Sequence, residues 1–179
     1  MKKALLVLIA LVSCQLATAQ FSIQKVVLEE YTGAWCGYCP EGAMIVDQNY
    51  TNNNKVIPVA IHQGDQMANT EGLDQVNFYS PAYPQANVNR AGTPISRGSW
   101  ASASTSATNG AASVSVSINN VVYDLSTRLL TFDVTGQFTA TEAGDMRFGA
   151  MLTEDHLTGS GSGWDQVSYF NNTQGHALQ

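Results

Sequence analysis

The chain has 179 residues, of which 44% are hydrophobic and 12% are charged, and its net charge at pH 7 is −6. This length can hold one large domain or two small ones, and the apolar content excludes an intrinsically disordered chain. The acidic balance argues against nucleic acid as a partner, because acidic side chains repel a phosphate backbone.

The first residues have the pattern of an export signal. Two lysines precede an apolar run over 4–12, and Ala-Thr-Ala at 17–19 matches a small-x-small cleavage site. The run is about half of the roughly 20 residues that a membrane-spanning helix needs. We therefore predict a signal peptide over 1–19, a mature chain from Gln20, and export to the periplasm, the outer membrane or the cell surface.

A second processing route stays open. The sequence LVSC at 11–14 resembles a lipoprotein cleavage box, which would leave Cys14 lipidated. No later segment is apolar enough to span a membrane as a helix, so any association with the outer membrane is predicted to be peripheral.

The stretch Val26 to Pro40, VVLEEYTGAWCGYCP, predicts the chemistry of the chain. A strand-like run over 25–30 ends in a turn that delivers Cys36 and Cys39 to the start of a helix over 39–50. Unpaired backbone N–H groups and the helix dipole favour negative charge there, and thiolate is the species that attacks disulfides. Proline suits the first helical turn, where its missing N–H removes only a donor without a helical partner.

Three interpretations of this cysteine pair compete. A zinc site would need two further ligands, and the three histidines, His62, His156 and His176, lack metal-ligand spacing. A purely structural disulfide over so short a ring would remove little entropy from the unfolded chain. A redox-active pair remains the third interpretation, and we predict no metal and no cofactor.

The next segments alternate between strand and helix patterns. The helix after the cysteines is expected to bury Cys39, Ala43, Val46 and Tyr50. The run VIPVAIH over 56–62 is typical of a central strand, although Pro58 within it favours an edge. A loop and a helix over 64–80, a strand over 86–90 and a short returning strand over 95–97 follow.

Some polar residues in this region have two interpretations. His62, at the end of a strand, is expected either to approach the cysteines or to form a structural hydrogen bond. Asp65, Glu71 and Asp74 lack the spacing of a calcium loop and are predicted to be solvated acids.

The order of elements and the motif WCGYC resemble the thioredoxin family. The resemblance implies that Glu30, six positions before Cys36, is a buried acid that handles the proton of Cys39. It also implies that Pro84 is the cis-proline that precedes a strand and packs against the disulfide. The sequences EEYTGAWCGYCPEG, VAIH and YPQANVNR more closely resemble the Omp-twenty-eight-related outer membrane proteins of Gram-negative bacteria, which pair a thioredoxin-like domain with a β-rich one.

The second half of the chain is β-rich. The Ser-, Ala- and Thr-rich segment 97–113 is either a flexible linker or, on the thioredoxin template, a closing helix over 99–108 anchored by Trp100. Period-two alternation then predicts strands at 114–118, 130–138 and 146–152, with a further short one at 121–125. These strands are too few to complete a sandwich. We therefore expect an incomplete antiparallel β-sandwich-like domain and a chain that is a truncated version of a longer protein.

The sequence thus predicts a signal peptide over 1–19, an α/β thioredoxin-like domain over 20–110 and a β-rich domain over 111–179. One hypothesis for function is thiol-disulfide exchange with envelope proteins, in which Cys36 attacks, Cys39 resolves and Glu30 assists proton transfer. The alternative is a non-catalytic, outer-membrane-associated or secreted binding protein that keeps the thioredoxin-like module as a scaffold.

Overall fold

The computed structural model describes residues 22–170. The predicted signal peptide, Cys14 and the C-terminal residues 171–179 lie outside the described residues. The described elements are, in chain order, β1 (Ser22–Ile23), β2 (Val26–Thr32), α1 (Cys39–Asn52), β3 (Val56–His62), α2 (Thr70–Tyr79), β4 (Gln85–Val88), β5 (Ile95–Ser96), a 3₁₀ turn (Arg97–Ser99), α3 (Trp100–Thr108), β6 (Ala111–Ala112), β7 (Val114–Asp124) and β8 (Leu129–Phe138).

The described residues form two compact units. One is a small α/β unit that contains Ile23–Ala111 together with residues 147–170. The other contains Ala112–Met146 and is a separate antiparallel hairpin. None of the helices in the described part has the length and apolar character that crossing a membrane requires.

The α/β unit is built on a mixed four-stranded sheet with the order β3-β2-β4-β5. β2 is an inner strand, parallel to β3 and antiparallel to β4. β3 has the predicted bounds but lies at the sheet edge, and most of its residues are at least partly exposed. Pro58 explains the position, because proline cannot donate to a ladder and is tolerated at an edge. The edge position that Pro58 favours is therefore the one that the structure shows, and the alternative of a central strand was wrong.

The core lies between the sheet and two helices. Leu28, Val56, Ala86 and Trp100 are buried together. The indole Nε1–H of Trp100 donates to the carbonyl oxygen of Ile95 at 3.0 Å. This large anchor supports α3 although the helix is rich in serine and threonine, which are indifferent helix formers. The helix, rather than the flexible linker, is therefore confirmed.

Helix α1 buries only part of the predicted face, because Cys39 is buried and Val46 packs against the core but the other two residues do not. Cys39, Gly42 and Asn49 are buried, whereas Ala43 and Tyr50 are exposed. Two polar or small residues replace the expected apolar ones: Gly42 allows close approach to the sheet, and Asn49 donates its side-chain amide to a buried serine hydroxyl. Apolar periodicity alone could not have found this face, because neither residue is apolar.

Two neighbouring carboxylates on β2 are buried. Glu29 is 1% exposed and accepts hydrogen bonds from the guanidinium of Arg90, with Nη2 at 2.7 Å and Nε at 2.9 Å. These bonds raise the pKa of Arg90. Glu30, whose side chain alternates to the opposite side of the strand, has no such cation. One acid is therefore part of a structural ion pair, while the other is available for a different role.

The second unit is a two-stranded antiparallel sheet. β7 and β8 pair from Val114 opposite Phe138 to Asp124 opposite Leu129, with an irregularity between Asn119 and Val122. The segments 114–118 and 121–125 are therefore one bulged strand rather than two. Residues 146–152, expected to form another strand, have no strand structure.

Candidate functional site

The cysteine pair lies where β2 ends and α1 begins. Cys36 and Cys39 form a disulfide, with a Cα–Cα distance of 5.4 Å. The turn before the helix is closed by hydrogen bonds from Cys36 N to Gly33 O at 2.9 Å and from Cys39 N to Cys36 O at 3.1 Å. Cys39 is the first residue of α1 and Pro40 falls in its first turn, as the sequence predicts. Both cysteines are buried, with 5% and 2% exposure.

Asp65 holds the loop that leads into the pair. Its Oδ2 accepts a hydrogen bond from the backbone N–H of Ala34 at 2.8 Å, and its Oδ1 accepts one from Met67 N at 3.0 Å. His62 Nδ1 lies 2.7 Å from the same Oδ2. The side chain of Asp65 is only 1% exposed, so the prediction of a solvated acid was wrong at this position. Glu71 and Asp74 are exposed, as predicted.

Of the two interpretations of His62, the structure shows the structural hydrogen bond, which is made with Asp65. The strand end brings it beside Thr32 of β2, and Asp65, three residues later, pairs with it. A histidine followed three positions later by an aspartate after a strand was the available sequence signal. The carboxyl group of Asp65 therefore contacts both His62 and the backbone of the cysteine loop.

Glu30 lies beneath the helical turn that carries Cys39. Its carboxyl group is 4% exposed, and Oε1 has no hydrogen-bond partner. Burial raises its pKa to about 8, because desolvation disfavours the charged form. A Cβ placed on Gly42 would collide with Oε1 and would lie 3.1 Å from Pro84 Cβ. The absence of a side chain at position 42 therefore leaves the space that a glutamate needs.

Pro84 closes the other side of this site. The Tyr83–Pro84 peptide bond is cis, as the resemblance implies, and Pro84 is buried just before β4. The ring of Tyr83 meets that of Trp35 edge-on at a centroid distance of 5.0 Å. The indole Nε1–H of Trp35 also donates to Gln63 O at 2.6 Å. The cysteine loop is therefore fixed through both its backbone and its tryptophan.

Tyr38, between the two cysteines, is half-exposed. The guanidinium carbon of Arg97 lies 5.8 Å from the centre of its ring, and Arg97 Nε donates to Glu41 Oε2 at 2.6 Å. Arg97 thus joins the first turn of α1 to the aromatic ring at the tip of the loop.

Sequence reasoning missed one component of the site, the segment 163–170. It lies along the cysteine loop, and its Val167 and Tyr169 donate backbone hydrogen bonds to Ala34 O at 2.7 Å and Gly37 O at 2.9 Å. Its three aromatic residues, Trp164, Tyr169 and Phe170, were the signal that could have drawn attention to it.

No metal site accompanies these residues. Within residues 22–170, no group of three or more His, Cys, Asp or Glu side chains is placed to hold a metal ion. The cysteine pair at the helix start can support thiol-disulfide chemistry, and the buried carboxyl of Glu30 lies against Gly42 in the first turn of the same helix.

Comparisons with known proteins give one solved structure to report. The chain is similar to HBP35 of Porphyromonas gingivalis, with a TM-score of 0.42 and 22% sequence identity. The similarity covers 54% of this chain and 37% of that protein, so the matched part is well under half of its length. No protein-family model matches the chain, and no curated protein sequence matches it.

Proposed function

We propose that this chain is an exported cell-envelope protein with a thioredoxin-like domain that catalyses thiol-disulfide exchange through Cys36 and Cys39. The observation that carries the proposal is the disulfide at the start of α1 together with Glu30, a buried carboxyl whose Oε1 has no hydrogen-bond partner. The resemblance of the WCGYC region to Omp-twenty-eight-related proteins adds a location at the envelope to the same proposal.

The reaction begins from the reduced pair. The Cys36 thiolate attacks one sulfur of a substrate disulfide, so that a mixed disulfide forms and the other substrate sulfur leaves as a thiolate. The Cys39 thiolate then attacks Cys36 Sγ, which releases the second substrate thiolate and forms the Cys36–Cys39 bond. The substrate has gained two electrons and the protein pair has lost two.

Glu30 handles the proton of Cys39 in this scheme. As a carboxylate it accepts that proton before Cys39 resolves the mixed disulfide. In the reverse direction the protonated carboxyl supplies a proton to the Cys39 thiolate released when an external thiolate attacks Cys36. A pKa of about 8 suits both tasks, since a proton carrier works best when its pKa is near the working pH.

The assignment of Cys36 as the attacking sulfur is supported by its place outside the helix. Cys36 lies in the turn before α1, whereas Cys39 is the first helical residue on the buried face that also contains Gly42. We therefore expect Cys39→Ser to trap mixed disulfides with envelope proteins and Cys36→Ser to trap none. Trapped species are identified by non-reducing electrophoresis and mass spectrometry. The double variant is the control, and equal trapping by both single variants would reject the assignment.

The exported location has a separate test. N-terminal mass analysis of the protein made in a Gram-negative host should find Gln20 as the first residue, because Ala-Thr-Ala precedes it. A lipid-modified fragment that begins at Cys14 would show that the lipoprotein route is used. Either product would place the protein at the envelope, while an uncleaved chain in the cytosol would contradict export.

A non-catalytic binding protein is the second candidate. It is favoured by the low exposure of Cys36 and by the apolar side chains that the β7–β8 hairpin exposes, among them Ile118 and Val122. In that case the hairpin is part of a sandwich-like binding domain and the α/β unit is a scaffold. A redox titration with alkylation and mass spectrometry separates the two: a pair that stays oxidised under strong reductant favours the scaffold.

A further inference from the structure

We propose that the backbone oxygens of Ala34, Cys36 and Gly37 form a docking edge for an extended polypeptide, and that the chain's own residues 163–170 occupy this edge until a protein substrate displaces them. We call these residues the cover segment. Displacement by a substrate rests on the proposed function, whereas occupation of the edge by the cover segment does not.

The cover segment is delivered by a tight turn. Gly161 O accepts hydrogen bonds from Trp164 N at 3.0 Å and Asp165 N at 3.1 Å, and Gly161 and Gly163 both have a φ of 85°. Such angles are accessible to glycine without strain. The ring of Trp164 lies against Gly159, where a side chain would collide with it. The turn is therefore specified locally and aims the following residues in one direction.

The turn is joined to the loop that positions the cysteines. Gln66 N donates to Gly163 O at 3.2 Å. Gln66 is next to Asp65, whose carboxylate holds Ala34 N. The start of the cover segment and the start of the cysteine loop are thus held by adjacent residues.

The cover segment is held on the edge by hydrogen bonds, and neither the segment nor the edge is part of a strand. The backbone N–H groups of Val167 and Tyr169, two residues apart, point to the edge and bond to Ala34 O and Gly37 O. The side-chain amide of Gln166 donates to Cys36 O at 2.9 Å and to Ala34 O at 3.2 Å. Burial alternates along the segment, with even-numbered residues 164–170 partly buried and odd-numbered residues 165–169 exposed. Trp164 and Asp165 belong to the turn, and residues 166–168 follow it without helix or strand structure. Main-chain donors make the binding tolerant of sequence.

Aromatic contacts also hold the cover segment on the docking edge. The ring of Tyr169 lies on Gly37, so that a Cβ at position 37 would be 2.5 Å from it. Tyr38 meets the rings of Tyr169 and Phe170 edge-on, at centroid distances of 5.0 Å and 6.0 Å. Gly37, at the tip of a loop between two cysteines, is buried. The cover segment therefore lies on the backbone that joins the two sulfur-bearing residues.

This geometry defines the partner by its chemistry. The hydrogen bonds at the edge are accepted by carbonyl oxygens, so a partner must supply N–H donors there, and Tyr38 favours an aromatic side chain beside them. An extended polypeptide meets both requirements, whereas a small thiol such as dithiothreitol meets neither. A protein substrate must therefore compete with the cover segment for the same oxygens.

The test measures how fast dithiothreitol reduces the Cys36–Cys39 disulfide in the full chain, by quenching with an alkylating agent and counting modified cysteines by mass spectrometry. The variant Gln166→Ala/Tyr169→Ala should be reduced about tenfold faster than wild type, which corresponds to roughly 1.4 kcal/mol. Val167→Pro, which removes one donor, should also be faster. Tyr50→Ala, a truncation of a half-exposed tyrosine on α1, should leave the rate unchanged.

A synthetic peptide of residues 161–170, GSGWDQVSYF, supplies the second measurement. It should slow the reduction of the double variant towards the wild-type rate and shift the amide resonances of residues 34–38, and it should leave wild type unaffected. Equal reduction rates for wild type, the double variant and Val167→Pro would overturn the proposal, as would a peptide that does not bind the double variant. Because dithiothreitol reduction needs no catalytic turnover, a failure to trap mixed disulfides would reject the proposed function and leave this result standing.

Discussion

The α/β unit and the β7–β8 hairpin are both predicted to contain strands, the first from apolar runs and the second from apolar alternation, and they reach opposite degrees of burial. In the α/β unit, Leu28 on β2 is fully buried against Val56 and Trp100. In the hairpin, Leu129 is 59% exposed and Ile118 is 61% exposed. The sequence therefore predicted strands in both units, but the strands bury their apolar side chains in only one of them.

The difference follows from the number of neighbours that each strand has. β2 has a strand on each side, and helices pack on the sheet. Each strand of the hairpin pairs with one other, and an isolated two-stranded ribbon has no layer to bury its faces. Apolar alternation indicates which side chains share a face of the sheet. The free energy gained by burying them depends on what covers that face.

The sharpest way to test this comparison is a matched pair of leucine truncations. Leu28→Ala should lower the free energy of unfolding by about 2–5 kcal/mol, because it leaves a cavity in a closed core. Leu129→Ala should change it by less than about 0.5 kcal/mol, because its side chain already contacts solvent. Urea unfolding followed by far-UV circular dichroism measures both. Similar losses for the two variants would show that the hairpin face is covered in solution.

A second comparison is between two glutamates, one buried and one exposed, and it is made through the pH dependence of the free energy of unfolding. Glu30 has a pKa of about 8 in the folded protein and about 4.5 when unfolded, so the folded state binds the proton more tightly. Its contribution to stability is therefore complete below about pH 4.5 and is lost as the pH rises towards 8, by up to about 1.4 kcal/mol per pH unit. Glu30→Gln, which is neutral throughout, should remove this part of the slope.

The control for this pH effect is Glu142→Gln, which changes an exposed glutamate in the unit that contains the hairpin. Urea unfolding of the three proteins at several pH values between 5 and 8 gives the slopes. The control should keep the wild-type slope. A wild-type slope that persists in Glu30→Gln would mean that the Glu30 carboxyl is hydrated rather than buried.

The smallest expected effect compares two amide-to-hydroxyl hydrogen bonds. Asn49 Nδ2 donates to Ser104 Oγ at 3.2 Å between two buried residues, and Asn119 Nδ2 donates to Thr135 Oγ1 at 3.1 Å between two exposed ones. Ser104→Ala should cost about 1 kcal/mol, because the buried amide loses its partner. Thr135→Val should be nearly neutral, because water replaces the hydroxyl. The thermal unfolding midpoints of the two variants measure both losses of stability. A larger decrease for Thr135→Val than for Ser104→Ala would contradict the comparison.

Much of the α/β unit could be predicted from local sequence. The bounds of β3 at 56–62, the start of α1 at Cys39 and the place of Pro40 follow from short-range patterns of apolar residues, turn residues and helix-start residues. These features depend on contacts within a few residues, which local sequence patterns indicate directly.

The burial of Asp65 depended on tertiary structure, whereas the edge position of β3 was already favoured by Pro58. Asp65 is an ordinary acid in a polar loop until Ala34, 31 residues away, presents an N–H to it. Similarly, Glu30 could be placed near the cysteines only through a family resemblance. The room for its side chain is provided by Gly42 on another element. Such pairings join distant positions and leave no local period in the sequence.

The cover segment shows the same limit most clearly. Its own turn is specified locally by Gly161 and Gly163, but its partners, Ala34 and Cys36, precede it by about 130 residues. The sequence by itself determined the place of the cysteine pair at a helix start, because the strand-like run, the turn and Pro40 mark that start locally. Only the tertiary structure decided what lies on that site, because backbone hydrogen bonds bind any extended segment that reaches the edge and so carry almost no sequence signature.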